Sequence, residues 1–185
     1  MTEHTRRFVL DCRRLSERLR DIAAQLRQLP PLPFYGEAAA GHETLSRVAD
    51  LVARSQEQLD RVGAMLDRLP RAAREALLSS FHTVSLQSAD ARPSDGTAHR
   101  EARLLDNGLS EVVEQLGLAT TLLRNLLDSL DERREPIGKL AAELAGAADE
   151  AVMLVHELYH TYQTGWMPLR TEVEYDTRGE RMGPD

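Results

Sequence analysis

Two histidines four residues apart, with a glutamate between them, are the residues whose types and spacing suit chemistry: Val152-Met-Leu-Val-His156-Glu157-Leu-Tyr-His160-Thr-Tyr-Gln163. On a helix, residues i and i+4 project from one face, so the imidazoles of His156 and His160 can share a tetrahedral Zn²⁺. Glu157 projects beside them without ligating, where a carboxylate can take a proton from an activated water and pass it to a leaving amine. A zinc site needs a further protein ligand, and Glu172-Val-Glu174-Tyr175-Asp176 supplies carboxylates downstream. Either Glu172 or Glu174 would complete the set. Tyr175 or Tyr159 would then donate a hydrogen bond to a developing oxyanion. Two other readings stay open: a solvated pair of surface histidines with no metal, and a metal site without hydrolytic activity.

His156-Glu157-Leu-Tyr-His160 resembles the H-E-x-x-H helix of zinc metallopeptidases, over about residues 150–180. Glu172 and Asp176 resemble the E-x-x-x-D spacing of gluzincins such as the thermolysin-like peptidases. That resemblance implies that Glu172 ligates zinc and that Asp176 holds a ligating histidine through its second ring nitrogen. It also implies a peptide or protein substrate. Enzymes of this kind set the active-site helix under a sheet, and here only Phe81–Leu86 and Thr171–Asp176 alternate like strands. His42 with His156 and His160 would instead resemble the three-histidine site of DinB-like metal-binding bundles. His4, His82 and His99 have weaker claims.

The elements that must position these residues are helices. Apolar residues step by three and four through Cys12, Leu15, Leu19, Ile22, Leu26 and Leu29, and again through Leu45, Val48, Val52, Leu59, Val62, Leu66 and Leu69, with Ser55 the polar interruption. Prolines 30, 31 and 33 end the first stripe and Pro70 the second. A third stripe runs Leu105, Leu109, Val112, Leu116, Ala119, Leu123, Leu126 and Leu130, and a fourth Ile137, Leu140, Leu144, Ala147, Ala151, Leu154 and Leu158. The pattern predicts an all-α protein, an antiparallel four-helix bundle of two long hairpins with an irregular C-terminal tail. The expected divisions are a hairpin over 1–80, a linker over 81–100, a hairpin carrying the histidines over 101–165 and a tail over 166–185. Within the first two, Arg71–Ser80 reads as a short helix and Phe81–Leu86 as a lone strand.

If Leu154 and Leu158 face the core, His156 and His160 face outward. That outer face carries Val152, Met153, Val155, Tyr159 and Tyr162, so something must cover it. The expected cover is the tail, with Trp166, Leu169, Val173 and Tyr175.

Phe34-Tyr35-Gly36-Glu37-Ala-Ala-Ala-Gly-His42 stands at the bend of the first hairpin, where a glycine permits a tight reversal. The stretch resembles the turn of the WXG100 (ESX-type) helical hairpins, over roughly residues 5–70, with Phe34 where that family has Trp. This implies a helical protein partner, as a secretion-system or assembly component. The export signal of that family, Tyr followed four residues later by Asp or Glu, is missing after all four tyrosines.

The net charge of −7 gives no electrostatic support to nucleic-acid binding, which draws on clustered cations. No apolar run approaches the roughly 18 residues of a membrane span, and the arginine-rich start is unlike a secretory signal. The expected location is the cytoplasm, or the outside by a route independent of a signal peptide. A lone cysteine, Cys12, falls in the first stripe and reads as a buried inert thiol. Self-association is left open.

Overall fold

Each apolar stripe becomes a helix. The computed structural model describes residues 3–29, 38–79, 81, 97–130 and 134–166, and among these it holds no strand. The helices are α1 (Glu3–Gln28), α2 (Ala38–Arg68), α3 (Arg71–Ser79), α4 (Thr97–Asp128) and α5 (Arg134–Trp166). Proline chemistry sets several ends. α2 stops before Pro70, and Arg74 of α3 donates to the carbonyl oxygens of Asp67 (3.3 Å) and Leu69 (3.2 Å), which lack intrahelical donors there. Pro136 lies in the first turn of α5, where its missing N–H would have had no helical partner.

Four long helices close into a ring, α1 against α2 and α5, and α4 against α2 and α5, with α3 laid over α5 and α1. Polar pairs between them fix direction. Arg13 meets Asp67, Ser16 meets Asp60 and Arg27 meets Asp50, so α2 runs opposite to α1. Ser55 with Gln115 and Gln58 with Glu111 do the same for α2 and α4. Tyr159, late in α5, reaches Asp106, early in α4.

The interior is what the stripes predict. All of their residues on α4 and α5, and the Leu130 just beyond α4, are buried; on the first two stripes only Leu29 and Leu69, at the ends, are half-buried, and Ser55 is buried with the rest. The α1 stripe starts earlier than its spacing suggested, because Thr5, Phe8 and Val9 are buried too. Ser55 satisfies its hydroxyl locally: it lies 3.0 Å from the Leu51 carbonyl oxygen and 3.1 Å from Gln115 Oε1. Gly108 lets α4 approach α2, since a Cβ there would lie 2.9 Å from Val62 Cγ2. Cys12 is buried as expected. Burial, with the Asp11 and Glu157 carboxylates adding to it, pushes its thiol up from 9.0 to about 12.

Two expectations change. The strand expected at Phe81–Leu86 does not begin as one: Phe81 is helical and buried, because its ring enters the core edge beside α5, and residues 82–86 lie outside the described residues. The linker expected over 81–100 is helical from Thr97, since α4 adds two turns before its first predicted seam residue, burying Ala102. Among the described residues no helix is long and apolar enough to cross a membrane.

Candidate functional site

The candidate site is set by the rotation of α5 about its axis. Leu154 and Leu158 are buried, so the helix turns His156 to solvent and leaves Glu157 half-buried on the side of α1. The backbone at His160 is helical, one turn beyond His156, which keeps the H-E-x-x-H sequence on one unbroken helix. The His160 side chain lies outside the described residues, as do Glu172, Glu174, Tyr175 and Asp176. Among the described residues no group of three or more His, Cys, Asp or Glu is placed to hold a metal ion. Those residues therefore do not complete a zinc site, whose remaining donors would come from His160 and residues 167–185.

Beside His156 and Glu157 the α1–α5 seam opens into a groove of about 600 Å³. Arg7, Asp11, Arg14 and Arg18 form its α1 wall; Glu150, Met153, His156 and Glu157 form its α5 wall, over Leu15 and Leu154. Arg18 bridges the two walls, ion-paired to Glu150 and donating to the Glu143 carbonyl oxygen at 3.1 Å. Arg7 and Arg14 both pair with Asp11, at 3.6 and 3.7 Å. The sequence reading missed this basic wall, although its signal was present. Arg7, Asp11, Arg14 and Arg18 step by four, three and four, the spacing that gathers residues on one helix face.

The opposite flank of α5 is closed. Tyr159 donates its hydroxyl to Asp106 Oδ1 at 2.8 Å, and its ring meets Phe81 edge-on with centroids 5.6 Å apart at 75°. Val155 also packs against the core. This corrects two expectations. The tail is not the only cover for the outer apolar residues, because Phe81 and α4 cover Tyr159; and the Tyr159 hydroxyl is engaged with α4, where it fastens the helix and does not wait for an oxyanion. Val152 and Met153 remain 48% and 64% exposed.

A three-histidine site of the DinB-like kind does not form with His42. That residue is exposed at the start of α2, the end of the bundle where Arg27 of α1 pairs with Asp50, whereas His156 lies beside Arg7 and Arg14 at the other end. The side chains of His4 and His99, and all of His82, lie outside the described residues, as do Phe34 to Glu37 of the hairpin turn.

No protein family, curated protein or solved structure matches this chain. What defines its class is the architecture, an all-α helical bundle with an H-E-x-x-H sequence on the last helix.

Proposed function

We propose that the chain is a zinc-dependent metallopeptidase-like protein, with the helices preceding α5 serving as a docking or delivery module. The observation that carries this reading is the outward presentation of His156 on an intact α5, with Glu157 at the edge of an open groove. A histidine pair serving only the core would face inward. In this reading His156, His160 and either Glu172 or Glu174 hold Zn²⁺, which would supply Lewis acidity and make a water acidic near neutral pH. Glu157 takes the proton of the attacking water and returns it to the leaving amine. Tyr175 donates to the oxyanion, a role Tyr159 gives up to Asp106.

Elemental analysis of untagged protein tests the metal half. One equivalent of zinc is expected for wild type and none for His160→Ala, since two protein ligands rarely hold zinc against a chelator. Glu157→Gln should keep the metal and lose hydrolysis of a peptide library. Wild-type protein that binds no zinc after refolding in excess metal would overturn the reading.

The exposed Val152 and Met153 favour a second reading, a non-enzymatic bundle that engages a helical protein partner through α5. Val152→Ser with Met153→Ser would then abolish partner binding. In a peptidase the same change would leave zinc content intact.

A further inference from the structure

We infer that the α1–α5 seam is a gate over the bundle interior, opening locally beside Cys12 while the other seams stay closed, and that Arg18, seated on Gly146, is its latch. Three observations carry this, and none involves a metal.

The first is the unequal holding of α1. On its α2 side four residues tie it along the helix: Arg13 to Asp67, Ser16 and Arg20 to Asp60, and Arg27 to Asp50. On its α5 side the bridging residue is Arg18. α1 and α5 are also the first and last helices, so the chain passes through all the others between them, and no short loop has to give way when they part.

The second is the seat of that arginine. Arg18 pairs with the Glu150 carboxylate and donates to the Glu143 carbonyl oxygen at 3.1 Å. The three nearest atoms that a Cβ at Gly146 would meet all belong to the Arg18 guanidinium, the first at 2.9 Å. Glycine is costly inside a helix, and here its missing side chain lets the guanidinium lie against the α5 backbone. Carboxylate, carbonyl oxygen and glycine together form a receptor for it. The pair is partly exposed, 35% at Arg18 and 53% at Glu150, so water competes for it and the latch can release.

The third is what the latch stands over. The groove runs along α1 from Arg7 to Arg18, about 16 Å, with Arg18 at its end. Beneath it lie Leu15 and Leu154, both buried, and Cys12, 1% exposed, with Glu157 close enough for its charge to act on the thiol. Parting the seam would therefore join the groove to the core beside His156 and Glu157. Cys12 is the reporter of that opening.

Thiol labelling of Cys12 in the native full chain, in excess chelator, tests the gate. The buried thiol reacts only when uncovered, and a local opening exposes little surface. Wild-type labelling should accordingly show well under half the urea dependence of global unfolding. Arg18→Met keeps the apolar stem and removes the guanidinium, and should speed labelling about three- to thirtyfold. Gly146→Val fills the seat and should act in the same direction, although valine suits a helix better than glycine. Arg13→Met, which unties the α2 side of the same helix, should stay within about twofold of wild type. Wild-type labelling with the full urea dependence of unfolding overturns the gate. Unchanged rates in Arg18→Met and Gly146→Val overturn the latch. An equal acceleration in Arg13→Met would mean that α1 frays from the whole bundle, and overturns both. Because chelator is present throughout, a gate found in a chain that binds no zinc would stand while the peptidase reading falls.

Discussion

The α2–α4 seam and the α1–α5 seam are built from the same three-four spacing, yet one is closed and the other opens into a groove. Between α2 and α4 the flanking residues are small or mutually satisfied. Gly108 brings the α4 backbone against Val62, Ser55 is covered entirely, and Gln58, Glu111 and Gln115 bond among themselves. Between α1 and α5 the flanks are Arg7, Asp11, Arg14, Arg18, Glu150 and Glu157, long charged side chains that keep their heads in water and hold the helices' outer edges apart. Apolar spacing makes a seam, and the residues beside it decide whether the seam is a wall or a cleft. The cleft lies where the candidate chemistry lies.

Several substitutions would break or sharpen this contrast. Leu123→Ala, in the buried stripe of α4, should cost about 2–5 kcal/mol in denaturant unfolding through lost transfer energy and a residual cavity. Its exposed neighbour Arg124 should tolerate alanine within about 0.5 kcal/mol. Comparable losses at both would show that α4 is rotated from the register described.

Cys12 reports whether the floor beneath the groove is dry. In the unfolded chain the thiol ionises near 9.0, whereas in the folded chain burial and the nearby carboxylates hold it protonated up to about 12. Its contribution to stability is therefore complete below pH 9 and is lost at about 1.4 kcal/mol per pH unit as pH rises toward 12. Urea midpoints measured at pH 8 and 10.5 should fall more for wild type than for Cys12→Ala. Equal slopes would mean that water reaches the thiol.

The two glycines facing neighbouring helices should respond with different magnitudes. Gly108→Ala pushes a Cβ to 2.9 Å from Val62 Cγ2, the end of a stiff, buried β-branched side chain, so overpacking of about 1–3 kcal/mol should outweigh the roughly 1 kcal/mol gained in helix propensity. At Gly146 the atom met at 2.9 Å is Nη2 of Arg18, the far end of a long side chain but also the donor to the Glu143 carbonyl oxygen. Gly146→Ala should then stay within about 1 kcal/mol of wild type, the gain in helix propensity being set against the displaced hydrogen bond. Thermal melts of the two variants decide the matter, and a loss at Gly146 as large as that at Gly108 would mean that the α1–α5 seam is as tightly closed as its counterpart.

Read from the amino-acid sequence, the helices and their buried stripes were legible almost residue by residue. Three-four spacing forces amphipathic helices to hide one face, and Ile137 through Leu158 did so without exception. The outward turn of His156 followed from the same arithmetic, because Leu154 and Leu158 commit the other side of α5. The early start of the α1 stripe was missed at Phe8 and Val9, and Phe81 was given to a strand, since a short apolar run with aromatic and β-branched residues suits either periodicity. Tertiary structure alone decided which flank of α5 meets which neighbour. Tyr159 had one local spacing and several candidate roles, and only the approach of α4 and Phe81 turned it into a fastening. The arginines of α1 were visible as a charged face, but their place opposite Glu157 depended on the ring order α1, α2, α4, α5. Periodicity tells a helix which side to bury; it carries no information about the partner on the other side, because that is fixed by loop lengths and by packing that spans the whole chain.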